Sequence, residues 1–339
     1  MENNLDDRYL FSITDDTGMF QHAVSGVPDP SEGYTTDDNA RALIAAEMLY
    51  IRSPGKKYAG LMRKFMGFML YAQKDRWFRN FMGYDRNFLE KRGSEDCFGR
   101  CILALGFTMS SRGLPQSIYD CAGKLLAHTY QSCSSLSFLM GKAYALIGLK
   151  LWGTDEARPF VNMLGESLIS SYTESRREDW RWFNDKITYC SAVLPLSMFS
   201  AYEISGKKEY LKVGLESLDF LINSTMSNGY FKPIGCCGWF EKGGRPAEYD
   251  GQPVEPCSMI LSCIKANALT GKSLYKEYAK KAFMWYHGKN ILGIEMVDPE
   301  TGGCRDGIFK SGVNKNEGAE SIVCYIISAI TAENAGLCG

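Results

Sequence analysis

Two segments far apart in the chain are near copies: Ser205-Gly206-Lys207-Lys208-Glu209-Tyr210 and Thr270-Gly271-Lys272-Ser273-Leu274-Tyr275. Each is a turn that ends one helix at a glycine and opens the next, where the aromatic can staple the new start. A repeated turn of this kind marks an internal repeat of helical hairpins. The rest of the chain fits that unit. Apolar residues recur at three- and four-residue spacing, as in Leu61, Phe65, Phe68 and Met69. They predict helices over roughly 38–52, 55–74, 95–110, 115–132, 136–152, 156–174, 187–204, 207–225, 253–269, 272–288 and 317–333. Three long connections, 75–94, 226–252 and 289–316, are rich in glycine, aromatics and charge, and connections of that length inside a compact domain are usually functional. Paired helices with rich loops on alternate connections predict an all-α fold, an α/α toroid of the (α/α)6-barrel kind. In such a barrel the inner helices present their ends to a central pocket. No low-complexity linker interrupts the 339 residues, so one catalytic domain over 1–339 is expected.

Composition removes several classes of function. Lys and Arg number 38 against 39 Asp and Glu, with no long basic run, which argues against a nucleic-acid partner. No window approaches the apolar length of a membrane helix. The polar, acidic start Met1-Glu2-Asn3-Asn4-Leu5-Asp6-Asp7 is the opposite of a secretory leader, and the twelve cysteines then read as reduced, mostly buried thiols. A cytoplasmic location is expected. No C-x-x-C pair occurs, and His22, His128 and His287 are far apart in sequence, so neither a metal nor another cofactor is expected. Phosphate loops, dinucleotide fingerprints and nucleophile elbows are missing too. The oligomeric state stays open.

The stretch from Gly33 to Leu43 sets Asp37, Asp38, Asn39 and Arg41 at the mouth of a helix that Thr36 or Asp37 can cap. Capping needs one such side chain; this stretch carries a surplus, and Asp38 and Arg41 share a helix face. For one instance, a capped helix with a surface ion pair is a sufficient account. The pattern recurs, however. Ser94-Glu95-Asp96 leads into Gly99-Arg100, Gln252-Pro253-Val254-Glu255 into Met259-Ile260, and Asn316-Glu317-Gly318-Ala319-Glu320-Ser321 into Ile322. Four such starts predict helices converging on one acidic, aromatic-lined pocket.

Sugars need that mixture, because flat rings stack on their C–H faces while carboxylates and amides hold their hydroxyls. Two carboxylates can also cleave a glycosidic bond, one as acid and one as base or nucleophile. The candidate catalytic set is Asp38, Glu95, Asp96, Glu255 and Glu320. Arg41 one turn from Asp38 would keep it ionised, as suits a base; Glu255, between Pro253 and Pro256 with few nearby cations, suits an acid. Candidate sugar-binding residues are Asp16, His22, Tyr34, Asp37, Asn39, Arg41, Tyr84, Asp85, Arg86, Arg100, Trp180, Trp182, Tyr189, Trp239, Gln252 and Asp306. Any single ring is more often core, and a lone loop aspartate more often a turn or cap. Clustering carries the functional reading. Trp180 and Trp182 alternate around Arg181, so at least one is expected to face solvent.

Several blocks together resemble a poorly characterised bacterial family: Ile13-Thr14-Asp15-Asp16-Thr17-Gly18, Gly33 to Arg41, Tyr84-Asp85-Arg86, Ser94 to Arg100, Trp239-Phe240 with Gly243-Gly244, Gln252 to Glu255, and Thr301 to Ser321. Members stand alone or fused behind glycosyltransferase domains. The resemblance runs through nearly the whole chain and implies an α/α-toroid, carbohydrate-active domain, frequently near mannoside-processing enzymes. This chain departs from the family pattern at Phe98, where a histidine is common, and at Cys190, where an aspartate often follows the tyrosine, so neither position receives a catalytic role. Three readings follow. The first is a glycoside hydrolase on a manno- or gluco-configured oligosaccharide, working by inversion. The second is an epimerase or isomerase of the acylglucosamine-epimerase type, which usually wants pocket histidines, and only His22 lies among the motifs. The third is a non-catalytic glycan-binding module, for which the surplus of carboxylates is unnecessary.

Overall fold

The computed structural model describes residues 5–226 and 229–337. Helices α1 (Arg8–Ser12), α2 (Thr36–Arg52), α3 (Lys56–Ala72), α4 (Glu95–Ser110), α5 (Gln116–Thr129), α6 (Leu139–Trp152), α7 (Arg158–Ser175), α8 (Val193–Ser205), α9 (Lys208–Thr225), α10 (Val254–Thr270), α11 (Leu274–Met284) and α12 (Ala319–Asn334) form an α/α toroid, as expected. The even-numbered helices make the inner ring, each packed on the next and α12 closing back on α2; the odd-numbered ones lie outside. Among the described residues no helix is long and apolar enough to cross a membrane.

The two rings differ in sequence for a physical reason. An inner helix is covered on nearly all sides, so α8 buries Val193, Leu194, Pro195, Ser197, Met198, Phe199, Ser200 and Ala201 almost without interruption. An outer helix buries one stripe: α9 packs Tyr210, Val213, Gly214, Ser217, Leu218, Leu221, Ile222 and Thr225 and leaves Lys208, Glu209, Lys212, Asp219 and Asn223 to water. The tightest seam joins α4 to α6. A Cβ on Gly99 would lie 2.6 Å from the Gly141 carbonyl oxygen, and one on Gly106 would overlap the Gly148 backbone. Glycines two turns apart on both helices thus let the backbones touch.

Every connection from an inner to an outer helix is a short turn, and every connection from an outer to an inner helix is long. The repeated sequence turns lie on the short rim, where Gly206 and Gly271 end α8 and α10 in the left-handed conformation (φ 67° and 71°). The opposite rim collects the six inner-helix N-termini, whose partial positive charge favours carboxylates. It also carries short antiparallel strands that were not foreseen: β1 (Phe20–Val24), β2 (Val27–Thr35), β3 (Gln73–Lys74), β4 (Trp77–Phe78), β5 (Phe81–Met82), β6 (Lys186–Ile187), β7 (Phe240–Glu241), β8 (Gly307–Phe309) and β9 (Gly312–Asn314). β1, β2 and β5 form one sheet, with Tyr34 opposite both Phe20 and Met82, while the others pair as β3–β4, β6–β7 and β8–β9. The sheet contributes Gln21, His22, Thr35 and Phe81 to a cavity on this rim, and the 3-10 turn Tyr130–Ser135 links α5 to α6. Helix α8 begins later than the expected 187, because Lys186–Ile187 pair with Phe240–Glu241 instead.

Candidate active site

A cavity of about 350 Å³ opens on the long-connection rim between the starts of α2 and α12. Thr35, rather than Thr36 or Asp37, caps α2: its Oγ1 accepts from the Asp38 N–H (3.3 Å) and donates to Asp38 Oδ2 (2.5 Å). Both aspartates therefore fall in the first turn, where Arg41 reaches them. Its Nη1 pairs with Asp38 Oδ1, and its Nη2 with Asp37 Oδ2 (3.1 Å) and with Glu320 Oε2 of α12 (2.7 Å). One guanidinium gathers three carboxylates.

That imbalance splits the two aspartates. Burial pushes Asp38 up to about 7, with the charges of Asp37 and Glu320 adding to it and Arg41 only partly opposing. Burial also raises Asp37, but Arg41 and Arg100 outweigh it and hold that carboxyl below its ordinary value. Adjacent residues thus offer a protonated and an ionised carboxyl near neutral pH. The expectation that Arg41 keeps Asp38 ionised is corrected: burial of the group is the larger effect.

Across the cavity Asp306 accepts from the Gly318 N–H (2.8 Å), Ser321 Oγ (2.5 Å) and Asn316 Nδ2, and burial raises its pKa. Asn316 also lies 3.2 Å from His22 Nδ1, and His22 and Gln252 complete the wall. His128 is exposed on α5, and His287 pairs with Glu295 at 2.9 Å.

Glu255 behaves differently. Cys190, in a left-handed conformation (φ 51°), donates its N–H to Oε1 at 2.5 Å, and Ser191 Oγ lies 3.4 Å from Oε2. Burial raises Glu255 to about 8, so it is protonated as expected of an acid. It is absent from the lining of this cavity and of the larger one, although it is no more buried than Asp38 and feels the charge of Glu320.

The larger cleft, about 810 Å³, lies on the α4–α6 side of the same rim and is lined by Glu95, Asp96, Phe138, Asp185, Tyr189 and Lys242, among others. Glu95 and Asp96 were expected beside Asp38 but stand here. Glu95 accepts from the N–H groups of Ser137 and Phe138 (both 2.7 Å) and from Ser137 Oγ (2.8 Å), tying down the entry to α6. Asp96 takes the Arg100 Nε–H at 2.9 Å. Arg100 is buried, lies over the Tyr144 ring (4.4 Å), and acts electrostatically on both Asp37 and Arg41. Helix α4, which lines the larger cleft, packs against α2, whose start lines the smaller one.

Other candidates serve the fold. Tyr34 is buried, stacks on Phe20 and donates to Asp15 at 2.7 Å. Asn39 donates to the Thr35 carbonyl (2.8 Å) and accepts from the Met19 N–H (3.0 Å), fixing the chain before β1. Asp16 and Arg86 pair at 2.9 Å on an exposed surface, Asp85 forms a turn with Asn87, and Tyr84 is exposed; all four lie outside both cavities. Trp180 and Trp182 are both buried, which corrects the expectation that one faces solvent. Trp180 turns inward by donating to the Asn184 carbonyl (2.7 Å) and packing edge-on against Phe220 and Phe240. Trp239 is partly exposed and leans on Tyr189, with ring centroids 6.3 Å apart. Phe98 stacks beneath Trp77 in the core. Sequence reasoning missed Asn80, Phe81 and Phe138, which line the cavities. A phenylalanine beside a helix start carries no local signal of which side it faces.

No family model matches the chain, and no curated protein matches it significantly in sequence. Solved structures do match in fold. A sugar epimerase from a ruminal bacterium superposes with a TM-score of 0.75 at 12% identity, covering 99% of this chain and 98% of that one. A GH76 α-mannanase from Bacteroides thetaiotaomicron gives 0.67 at 11% identity, over 96% and 93%. An inactive variant of the GH76A α-1,6-mannanase of Salegentibacter, bearing Asp-to-Ala changes at two consecutive positions and complexed with α-1,6-mannotetrose, gives 0.62 at 10% identity, over 99% and 98%. The chain therefore has the α/α-toroid fold found in carbohydrate-active enzymes.

Proposed function

We propose that this protein is a glycoside hydrolase acting on a manno- or gluco-configured oligosaccharide, with Asp38 as general acid and Glu320 as base. One observation carries the reading: Asp38 lines a polar cavity, is held near pKa 7 by burial, and shares Arg41 with two further carboxylates. Asp38, whose Oδ2 exchanges its hydrogen bond with Thr35 for one to the glycosidic oxygen, donates its proton there as the bond from that oxygen to the anomeric carbon breaks. Glu320, with its side chain 35% exposed, takes a proton from the water that attacks the same carbon from the opposite face. Arg41 stays charged and orients both. That a toroid α-1,6-mannanase was inactivated by replacing two consecutive aspartates supports giving the Asp37–Asp38 pair this weight. The test is a panel of mannose- and glucose-based oligosaccharides, followed by reducing-end release and by proton NMR of the first product anomer. A retained anomer would make Glu320 a nucleophile instead of a base.

A second reading rests on His22, which shares the cavity with Asp38, and on the likeness to a sugar epimerase. Such an enzyme would exchange a sugar C–H proton with solvent and create no new reducing ends. Deuterium incorporation without cleavage would replace the hydrolase reading, and binding without either would leave a glycan-binding module.

A further inference from the structure

The acid–base chemistry above leaves the larger cleft without a task, although it opens on the same rim. Phe138 stands at its edge, 71% exposed. A lone exposed ring needs no explanation, but this one is clamped: Glu95 spends three hydrogen bonds on the Ser137–Phe138 backbone and on the Ser137 hydroxyl. The smaller cavity repeats the device. Phe81, 46% exposed, lines it, and its N–H donates to Glu90 Oε1 at 2.8 Å, where the Asn80 N–H also donates. Each cavity thus holds an exposed ring on a backbone fixed by a carboxylate. With the backbone fixed, only the two side-chain torsions of such a ring are lost when a sugar stacks on it. Asp185, held by Lys242 at 2.9 Å, and Tyr189 supply polar partners for hydroxyls. The volume of about 810 Å³ lies toward the upper end of the ~300–1,000 Å³ that ligand sites span, which leaves room for more than one sugar ring. Inner helices α2 and α4 pack on each other, so the start of α2 that lines the smaller cavity neighbours the start of α4 that lines the larger one on the same rim.

We infer that the larger cleft is a run of sugar subsites with Phe138 as its stacking platform, so that the substrate is a chain of several sugars bound across both cavities rather than a mono- or disaccharide. The inference rests on the hydrolase reading for its ligand class. Glu95 is then a positioning residue, acting through Phe138.

Calorimetric binding tests it without turnover, using the Asp38→Asn variant with α-1,6-manno-oligosaccharides and β-1,4-gluco-oligosaccharides of two to six units. Affinity should rise with chain length in one series. Adding Phe138→Ala should weaken the hexasaccharide about tenfold, with a smaller effect on the disaccharide, and Phe138→Trp should restore it. Thermal melting of the Phe138→Ala protein should stay close to the parent, since the ring is exposed. If oligosaccharides bind with no dependence on length, or Phe138→Ala changes nothing, the subsite run is overturned while the hydrolase reading stands. If neither series binds at any length, the oligosaccharide reading itself falls, and the inference falls with it.

Discussion

The two cavities on the long-connection rim are built from the same residue types and use them in opposite ways. In the smaller one, Asp37, Asp38 and Glu320 compete for a single guanidinium, and burial leaves Asp38 near pKa 7. In the larger one, Glu95 is consumed by backbone amides and Asp185 by Lys242. Burial raises Asp38 despite its partners Arg41 and Thr35, whereas Glu95 and Asp185 are tied to backbone amides and to a lysine. Counting acids at helix starts does not separate these fates, because the difference lies in what each oxygen meets across the ring.

The sharpest way to break this contrast is to neutralise one acid from each kind of setting. Asp38→Asn should lower turnover on a confirmed substrate by roughly 10²–10⁴-fold, the range for loss of a general acid, with little change in binding. Glu255→Gln should keep turnover within about tenfold, because Glu255 is already protonated near neutral pH and lines neither cavity. Steady-state kinetics with a melting curve for each variant checks the pair. Equal loss in both would show that burial behind the cavity matters as much as position in it.

The pH dependence comes next. With the acid near 7, kcat should fall by about tenfold per pH unit above that value, as Asp38 deprotonates. Phe138→Ala, acting only in the cleft, should leave the midpoint of that fall in place. A midpoint near 4 would mean that Asp38 is ionised at rest and that another group is the acid.

Stability should follow pH in the same direction. Glu47, fully buried on α2 with Oε1 bonded by Thr108 Oγ1 at 2.5 Å, is pushed by burial to about 8, as Glu255 is. An unfolded chain releases those protons above about 4.5, while the native state holds them until about 8. Their contribution is therefore full below about 4.5 and is lost as pH rises through the native value. The melting temperature should drop by several degrees between pH 5 and 8, and Glu47→Gln should flatten the slope. A melting temperature that rises over this interval would contradict the burial argument.

What the chain disclosed beforehand follows the same division between local and distant causes. The turns at Gly206 and Gly271 were readable because a left-handed cap is a local demand that glycine meets. The outer helices were readable because burying one stripe imposes a three-to-four spacing, and the inner ones as near-continuous apolar runs. Asp37, Asp38, Arg41 and Glu320 were brought together in the structure as their positions at helix starts suggested. Glu95 was misplaced since its partners, Ser137 and Phe138, come from the next hairpin, over forty residues away. Trp180 was misjudged because alternation around Arg181 implies an extended strand, whereas Trp180 sits in an irregular connection and bonds Asn184. In the sheet of β1, β2 and β5 only the β2–β5 pairing joins segments on either side of two helices; β1 and β2 form a hairpin about Ser25-Gly26, a local turn signal that sequence reasoning missed.

The smallest effect, and the most discriminating for the cleft, belongs to Glu95→Gln. Both backbone N–H groups meet Oε2 and the Ser137 hydroxyl meets Oε1, so the amide can keep its oxygen on the backbone and turn its N–H₂ group to the hydroxyl, and what is lost is the charge that strengthens these bonds. The entry to α6 should then lose roughly 1 kcal/mol, as for a weakened helix-start interaction. Phe138 loses its fixed position with it. On a hexasaccharide KM should rise about threefold with kcat nearly unchanged, because the loss falls on binding shared by ground and transition states. On a disaccharide the change should be smaller still. A fall in kcat equal on both substrates would instead place Glu95 in the chemistry, beside Asp38, and would erase the distinction between the two cavities.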